Sequence, residues 1–178
     1  MCLHRPRRSI PGALRPVALR AAIVAGLMLL GSGASDACAQ APLLGPVALS
    51  PVANGPTIFL ADLRGSVHVV MFWRSDCAPC LIELHNYAAL SQAAHGELIT
   101  VALEPKLGAR AALARFSVPE ADAFTAEGDA QATLEAVSDG GRRLPLSIAL
   151  DPEGRLCARH VGLLGTERAR AWISRCSR

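Results

Sequence analysis

Residues 66–80, SVHVVMFWRSDCAPC, constrain this chain more than any other stretch. Ser66 to Trp73 is β-branched, aromatic and otherwise mostly apolar, the composition of a strand buried inside a sheet. Arg74, Ser75 and Asp76 then lead into Cys77 and Cys80, a C-x-x-C pair with Pro79 between. With a strand ending near Trp73 and a helix starting near Cys77, Cys77 lies at the helix N-terminus. Free backbone N–H groups and the helix dipole there stabilise a thiolate. Cys80 falls one turn inside on the same face, within bridging reach of Cys77. Pro79 sits in the first turn, where a missing N–H costs nothing. The outer sulfur is placed to attack a disulfide or thiol and the inner one to resolve the mixed disulfide.

Other uses of two cysteines fit less well. A structural zinc site needs a second ligand pair, and Cys157 and Cys176 stand nineteen residues apart without one. A bridge across one helical turn closes too short a loop to stabilise much. A Cu(I)-handling protein using Cys77 and Cys80, with His85 or His160 as third ligand, stays open as the alternative. No cofactor is called for and no metal site is assigned.

The rest of the chain alternates strand and helix signals. Pro79 to Ala94 has helical spacing; Glu97 to Glu104, ELITVALE, is a second strand; Gly108 to Phe116 is a helix. DAFTA reads as a short strand, and Asp129 to Asp139 as a helix closed by Gly140 and Gly141. Pro145 to Leu150 is a strand, DPEG a turn, and RLCARHVG its hairpin partner. Thr166 is placed to cap a last helix, ERARAWISRC. The order predicts an α/β layered domain with helices on both faces of a mixed sheet, ending in a hairpin and a helix.

The N-terminus reads as a secretory signal over residues 1–39. Five arginines without an acid precede an uncharged run from Ala21 to Ser35, followed by Ala37 and Ala39 in an A-x-A arrangement. The uncharged run is shorter than the ~20 residues a spanning helix needs. An uncleaved anchor is the alternative to cleavage after Ala39. Residues 40–57, rich in proline and glycine, read as an extended linker or an N-terminal edge-strand extension, and 58–178 as the domain. Although the whole chain carries +3, residues from Gln40 onward hold 13 basic and 14 acidic side chains. That balance gives no electrostatic case for binding nucleic acid. Export removes Cys2 and Cys38 and leaves Cys77, Cys80, Cys157 and Cys176 in a compartment that permits disulfides.

VVMFWRSDCAPCLIEL and LPLSIALDPEGRLCARHVG, with the order of elements, resemble the thioredoxin fold. The resemblance is nearest to its exported bacterial thiol–disulfide oxidoreductases of the TlpA, ResA and DsbE type, and runs from about Ile58 to Trp172. It implies Cys77 as nucleophile and Cys80 as resolving cysteine. It makes Pro145 a cis proline beside the pair, turning the Leu144 backbone toward a partner peptide. Glu83 matches the C-x-x-E position of that branch. Cys80, Glu83, Leu84 and Tyr87 share one helix face, so a half-buried Glu83 could take the proton from the Cys80 thiol. Trp73 is read as a wall of the site and Trp172 as core. The resemblance further implies a periplasmic location, protein disulfide substrates such as cytochrome c maturation components, and a membrane thiol–disulfide electron donor.

The chain departs from that branch at three places. Asp76 replaces an aromatic residue before the first cysteine. His85 replaces a proline, which predicts a helix without a kink and leaves His85 a surface or packing role. Met71 stands where thioredoxin has a buried aspartate, leaving Glu83 as proton handler. A carboxylate beside Cys77 opposes the dipole's stabilisation of the thiolate, so Asp76 favours a reductant if it faces Cys77. Arg142 and Arg143 near the proline are placed to offset it or to meet acidic partners. Cys157 and Cys176 are candidates for a structural disulfide, or two independent thiols.

Overall fold

The computed structural model describes Leu44 and residues 46–178 except Asp139. The expected signal, 1–39, lies outside the described residues. Seven strands form one mixed sheet: β1 (Ala48–Pro51), β2 (Ile58–Phe59), β3 (His68–Trp73), β4 (Leu98–Ala102), β5 (Ala123–Ala126), β6 (Leu146–Leu150) and β7 (Leu156–Val161). Their order across the sheet is β2-β1-β5-β4-β3-β6-β7. Five helices complete the fold: α1 (Ala78–His85), α2 (Tyr87–Ala93), α3 (Lys106–Arg115), α4 (Ala130–Val137) and α5 (Thr166–Cys176). Among the described residues no helix is long and apolar enough to cross a membrane.

β3 runs through the middle, parallel to β4 and antiparallel to β6. Both its faces are covered, which is why HVVMFW is an almost unbroken apolar run rather than an alternating one. Val69, Met71 and Trp73 enter a core with Cys80, Leu84, Tyr87, Leu90 and Trp172 from α1, α2 and α5. Val70 and Phe72 enter a second core with Leu49, Leu134, Val137 and Ile148. The last residues of β3 therefore deliver the chain to one end of a sheet held rigid from both sides.

Three expectations need correction. Residues 48–51, inside the segment read as a linker or edge-strand extension, are a strand inside the sheet and not at its edge: Ser50 pairs with Thr125 and Leu49 with Ile58, and Leu49 is fully buried. The helical run after Cys77 is broken at Asn86 (φ −94°, ψ 11°) although no proline is present. The Asn86 N–H is shared between the Ile82 and Glu83 carbonyls, which tightens the turn. Thr166 is the first residue of α5 and not its cap; Gly165 holds the cap position at φ 68°, ψ 152°, a conformation glycine tolerates and threonine does not. The DPEG turn forms as read, and its Gly154 (φ 80°) is required there. A Cβ would lie 2.5 Å from the Ala61 carbonyl oxygen.

Candidate active site

The site grows from the end of β3. After Trp73 the chain turns through 74–76, closed by the Cys77 N–H bonding to the Arg74 carbonyl at 3.2 Å. Cys77 is the N-cap of α1, with Pro79 in its first turn. Its Sγ accepts the Cys80 N–H at 3.3 Å, one of the donors a helix start leaves without an intrahelical partner. Cys77 and Cys80 are joined, with S–S 2.06 Å and Cα atoms 5.2 Å apart. The two are not equivalent: Cys77 is partly exposed and Cys80 wholly buried. Of the two sulfurs, only that of Cys77 belongs to a residue open to an incoming group.

Trp73 is fully buried, so it supports the pair from inside the core and offers no exposed wall. The Leu144–Pro145 peptide is cis. Phe72 pairs with Leu146, so Pro145 lies just past that pair, at the end of β3 where the active-site turn begins. Leu144, like Cys77, is half-buried and packs against the first core.

Glu83 is 2 % exposed. Its Oε1 accepts the Leu164 N–H in a short bond, while Oε2 has no partner among the described residues. Burial pushes this carboxyl up to about 7, against the opposing pull of the Leu164 N–H and the Arg168 charge. A carboxylic acid one turn from a buried thiol, titrating near neutrality, can accept and return a proton. Glu83 also lines a groove of ≈ 220 Å³ with Ile82, Leu90, Leu163 and Thr166.

Asp76 is paired with the arginine that opens the turn. Arg74 holds it with two parallel bonds, Nε to Oδ1 and Nη2 to Oδ2, each 2.9 Å. The Arg74 hydrogen bonds keep the Asp76 carboxyl below its usual range, and both side chains are substantially exposed. The guanidinium offsets the charge that was to oppose the thiolate. Spacing could have revealed this pairing, since Arg74 and Asp76 are two residues apart in a turn. A second carboxylate escaped the sequence reading altogether. Glu104, just past β4, accepts the Ser75 N–H at 3.0 Å and the Ser75 hydroxyl at 2.6 Å. It pins the turn from the neighbouring strand.

The remaining candidates lie away from the pair. Cys157 on β7 and Cys176 at the end of α5 are bonded to each other, Cα atoms 5.9 Å apart. His85 ends α1 and meets the Phe116 ring edge-on at 6.4 Å. It is eight residues from Cys77, about 12 Å along a helix axis, so it is not a third ligand beside that sulfur. His160 lies on β7, its basicity lowered by burial. Among the described residues no group of three or more His, Cys, Asp or Glu side chains is placed to hold a metal ion. Arg142 pairs with Glu135 at 2.7 Å, and Arg143 is exposed.

No family model and no curated protein sequence matches the chain. Solved structures do. The dsbF protein of MTB, in mixed oxidized and reduced forms, is 16% identical with a TM-score of 0.58, covering 75% of this chain and 97% of that one. A thiol:disulfide interchange protein of the thioredoxin family from Chlorobium tepidum TLS is 17% identical with a TM-score of 0.58, covering 76% and 96%. ScoI from Bradyrhizobium japonicum, with copper bound, is 16% identical with a TM-score of 0.53, covering 76% and 99%. The chain has the thioredoxin fold. Within that fold it resembles proteins of thiol–disulfide interchange, and it carries a C-x-x-C pair, Cys77 and Cys80, as a disulfide.

Proposed function

We propose that this protein is an exported thiol–disulfide oxidoreductase that works as a reductase of protein disulfides. The observation that carries the reading is the asymmetric pair: an accessible Cys77 at a helix N-terminus, bonded to a buried Cys80, with Glu83 one turn below. In the reduced protein the Cys77 thiolate attacks one sulfur of a substrate disulfide and expels the other as a thiolate. Cys80 passes its proton to Glu83 and attacks Cys77 Sγ. The substrate's second sulfur leaves, and the Cys77–Cys80 bond takes up the two electrons' worth of oxidation. A membrane thiol donor then reduces the pair again. Pro145 and Leu144 would align the substrate backbone at the exposed end of the sheet.

The direction is supported by the charges of the 74–76 turn, not by Asp76 alone. Two carboxylates, Asp76 and Glu104, stand against the single Arg74 guanidinium. The turn before Cys77 is thus net negative, which disfavours the thiolate and so the reduced state. Export is supported by the signal-like N-terminus and by the Cys157–Cys176 bond, since such bonds persist in oxidising compartments. The test is Cys80→Ser expressed with its leader. Cys77 should then hold substrate proteins as mixed disulfides that a reductant releases. Absence of any trapped protein counts against the reading. One-to-one copper binding by the reduced protein, without disulfide reduction, would favour the Cu(I)-handling alternative.

A further inference from the structure

Residues 162–165, Gly-Leu-Leu-Gly, join β7 to α5 and touch both sides of the site. The Gly162 N–H donates to the Pro145 carbonyl at 2.8 Å, and the Leu164 N–H donates to Glu83 Oε1. Gly162 (φ 102°) and Gly165 (φ 68°) provide the left-handed turns that aim the intervening amide inward. The buried Leu164 side chain anchors this loop in the first core, but leaves the two carbonyls of 163 and 164 to be held from outside it. Arg168, in the first turn of α5, adds a restraint on the backbone: its Nη1 donates to the Leu163 carbonyl at 3.1 Å and to the Leu164 carbonyl at 2.9 Å.

We infer that Arg168 is a positioning residue for Glu83: by clamping the 163–164 carbonyls it holds the Leu164 N–H on Oε1 and leaves Oε2 as the oxygen that exchanges a proton with Cys80. The inference rests on the reading of Glu83 as proton acceptor. An N–H on Oε1 fixes the plane of the carboxyl group. Oε2, buried without a partner, is then the site with free lone pairs. The clamp also brings a cation whose field acts on Glu83. The other titratable groups to consider are Cys80 on α1, Tyr87 at the start of α2, and His160 on β7, which feels the same Arg168 charge. Tyr87 is engaged elsewhere, donating to Asp122 at 2.7 Å.

The experiment follows the rate at which the reduced pair is oxidised by oxidised glutathione, from pH 5 to 9. Besides the rise set by the Cys77 thiol, which every variant keeps, the wild-type chain should show a second inflection near 7 that Glu83→Gln abolishes. Arg168→Gln should move it upward by roughly 0.3–0.5 pH unit, the scale of a screened charge several ångströms away. Arg168→Lys, which keeps a cation able to reach both carbonyls, should restore the wild-type position. If Arg168→Gln lowers thermal stability but leaves the inflection in place, while Glu83→Gln still abolishes it, Arg168 is only structural and the inference is overturned. If Glu83→Gln itself leaves the inflection unchanged, the proton-acceptor reading falls with it.

Discussion

Replacing Glu83 by glutamine should make the folded protein more stable, and only above a defined pH. In the folded chain Glu83 is 2 % exposed, with one oxygen bonded to an N–H and the other unpartnered, and burial pushes it up to about 7 from its ordinary 4.5. Below 4.5 the carboxyl is protonated in both folded and unfolded chains and contributes no difference. Between 4.5 and about 7 the unfolded chain releases the proton while the folded chain keeps it, so stability falls as pH rises. Above 7 the whole penalty of a buried carboxylate is present. A rise of this size corresponds to about 3 kcal/mol. Glutamine keeps the volume and can accept the Leu164 N–H, but has no charge to desolvate. Urea unfolding from pH 4.5 to 8.5, with both disulfides oxidised, is the assay. At a slope typical of small domains, ~1–3 kcal/mol per M urea, the midpoints should separate by about 1–3 M at high pH and converge at low pH. A gap that stays constant across the range, or a wild-type chain that gains on Glu83→Gln as pH rises, would refute the reasoning. Retention of so unfavourable a group fits a functional carboxyl better than a packing one.

The other predictions concern charge and covalent restraint. Arg74→Gln leaves Asp76 and Glu104 unopposed and should lower the reduction potential of the pair. Asp76→Asn frees the guanidinium and should raise it. Each shift should be on the order of 10 mV, read against glutathione redox buffers; shifts of the same sign would show that the turn's net charge is not what acts. The double variant Cys157→Ser, Cys176→Ser opens a loop of 19 residues and should lose about 3 kcal/mol in urea unfolding, while exchange at Cys77 persists. Unchanged stability would mean that this bond does not restrain the chain.

What the sequence disclosed was what short-range spacing encodes. Trp73 to Cys80 shows strand, turn, cap and helix in one window, and the DPEG hairpin carries its own turn chemistry. β1 was hidden because its pairing is remote: Ser50 meets Thr125, seventy-five residues on, and the surrounding prolines and glycines look like a linker. Glu104 on Ser75 and Leu164 on Glu83 are contacts over 29 and 81 residues. The second uses a backbone N–H, which no residue type announces; the paired glycines of 162–165 were its only sequence trace. The break at Asn86 shows the opposite limit. The missing proline at His85 removes one cause of a kink, yet the helix still breaks at Asn86, where one N–H is shared between two carbonyls.

In the proposed function Cys77 and Cys80 move electrons to protein disulfides. A single-turnover reaction tests it most directly: reduced protein is mixed with insulin, and both partners are alkylated and weighed over time. One Cys77–Cys80 disulfide should form for each substrate disulfide opened, with a mixed disulfide at Cys77 as intermediate and no reaction in Cys77→Ser. Substrate disulfides that stay closed while the reduced pair persists would contradict it.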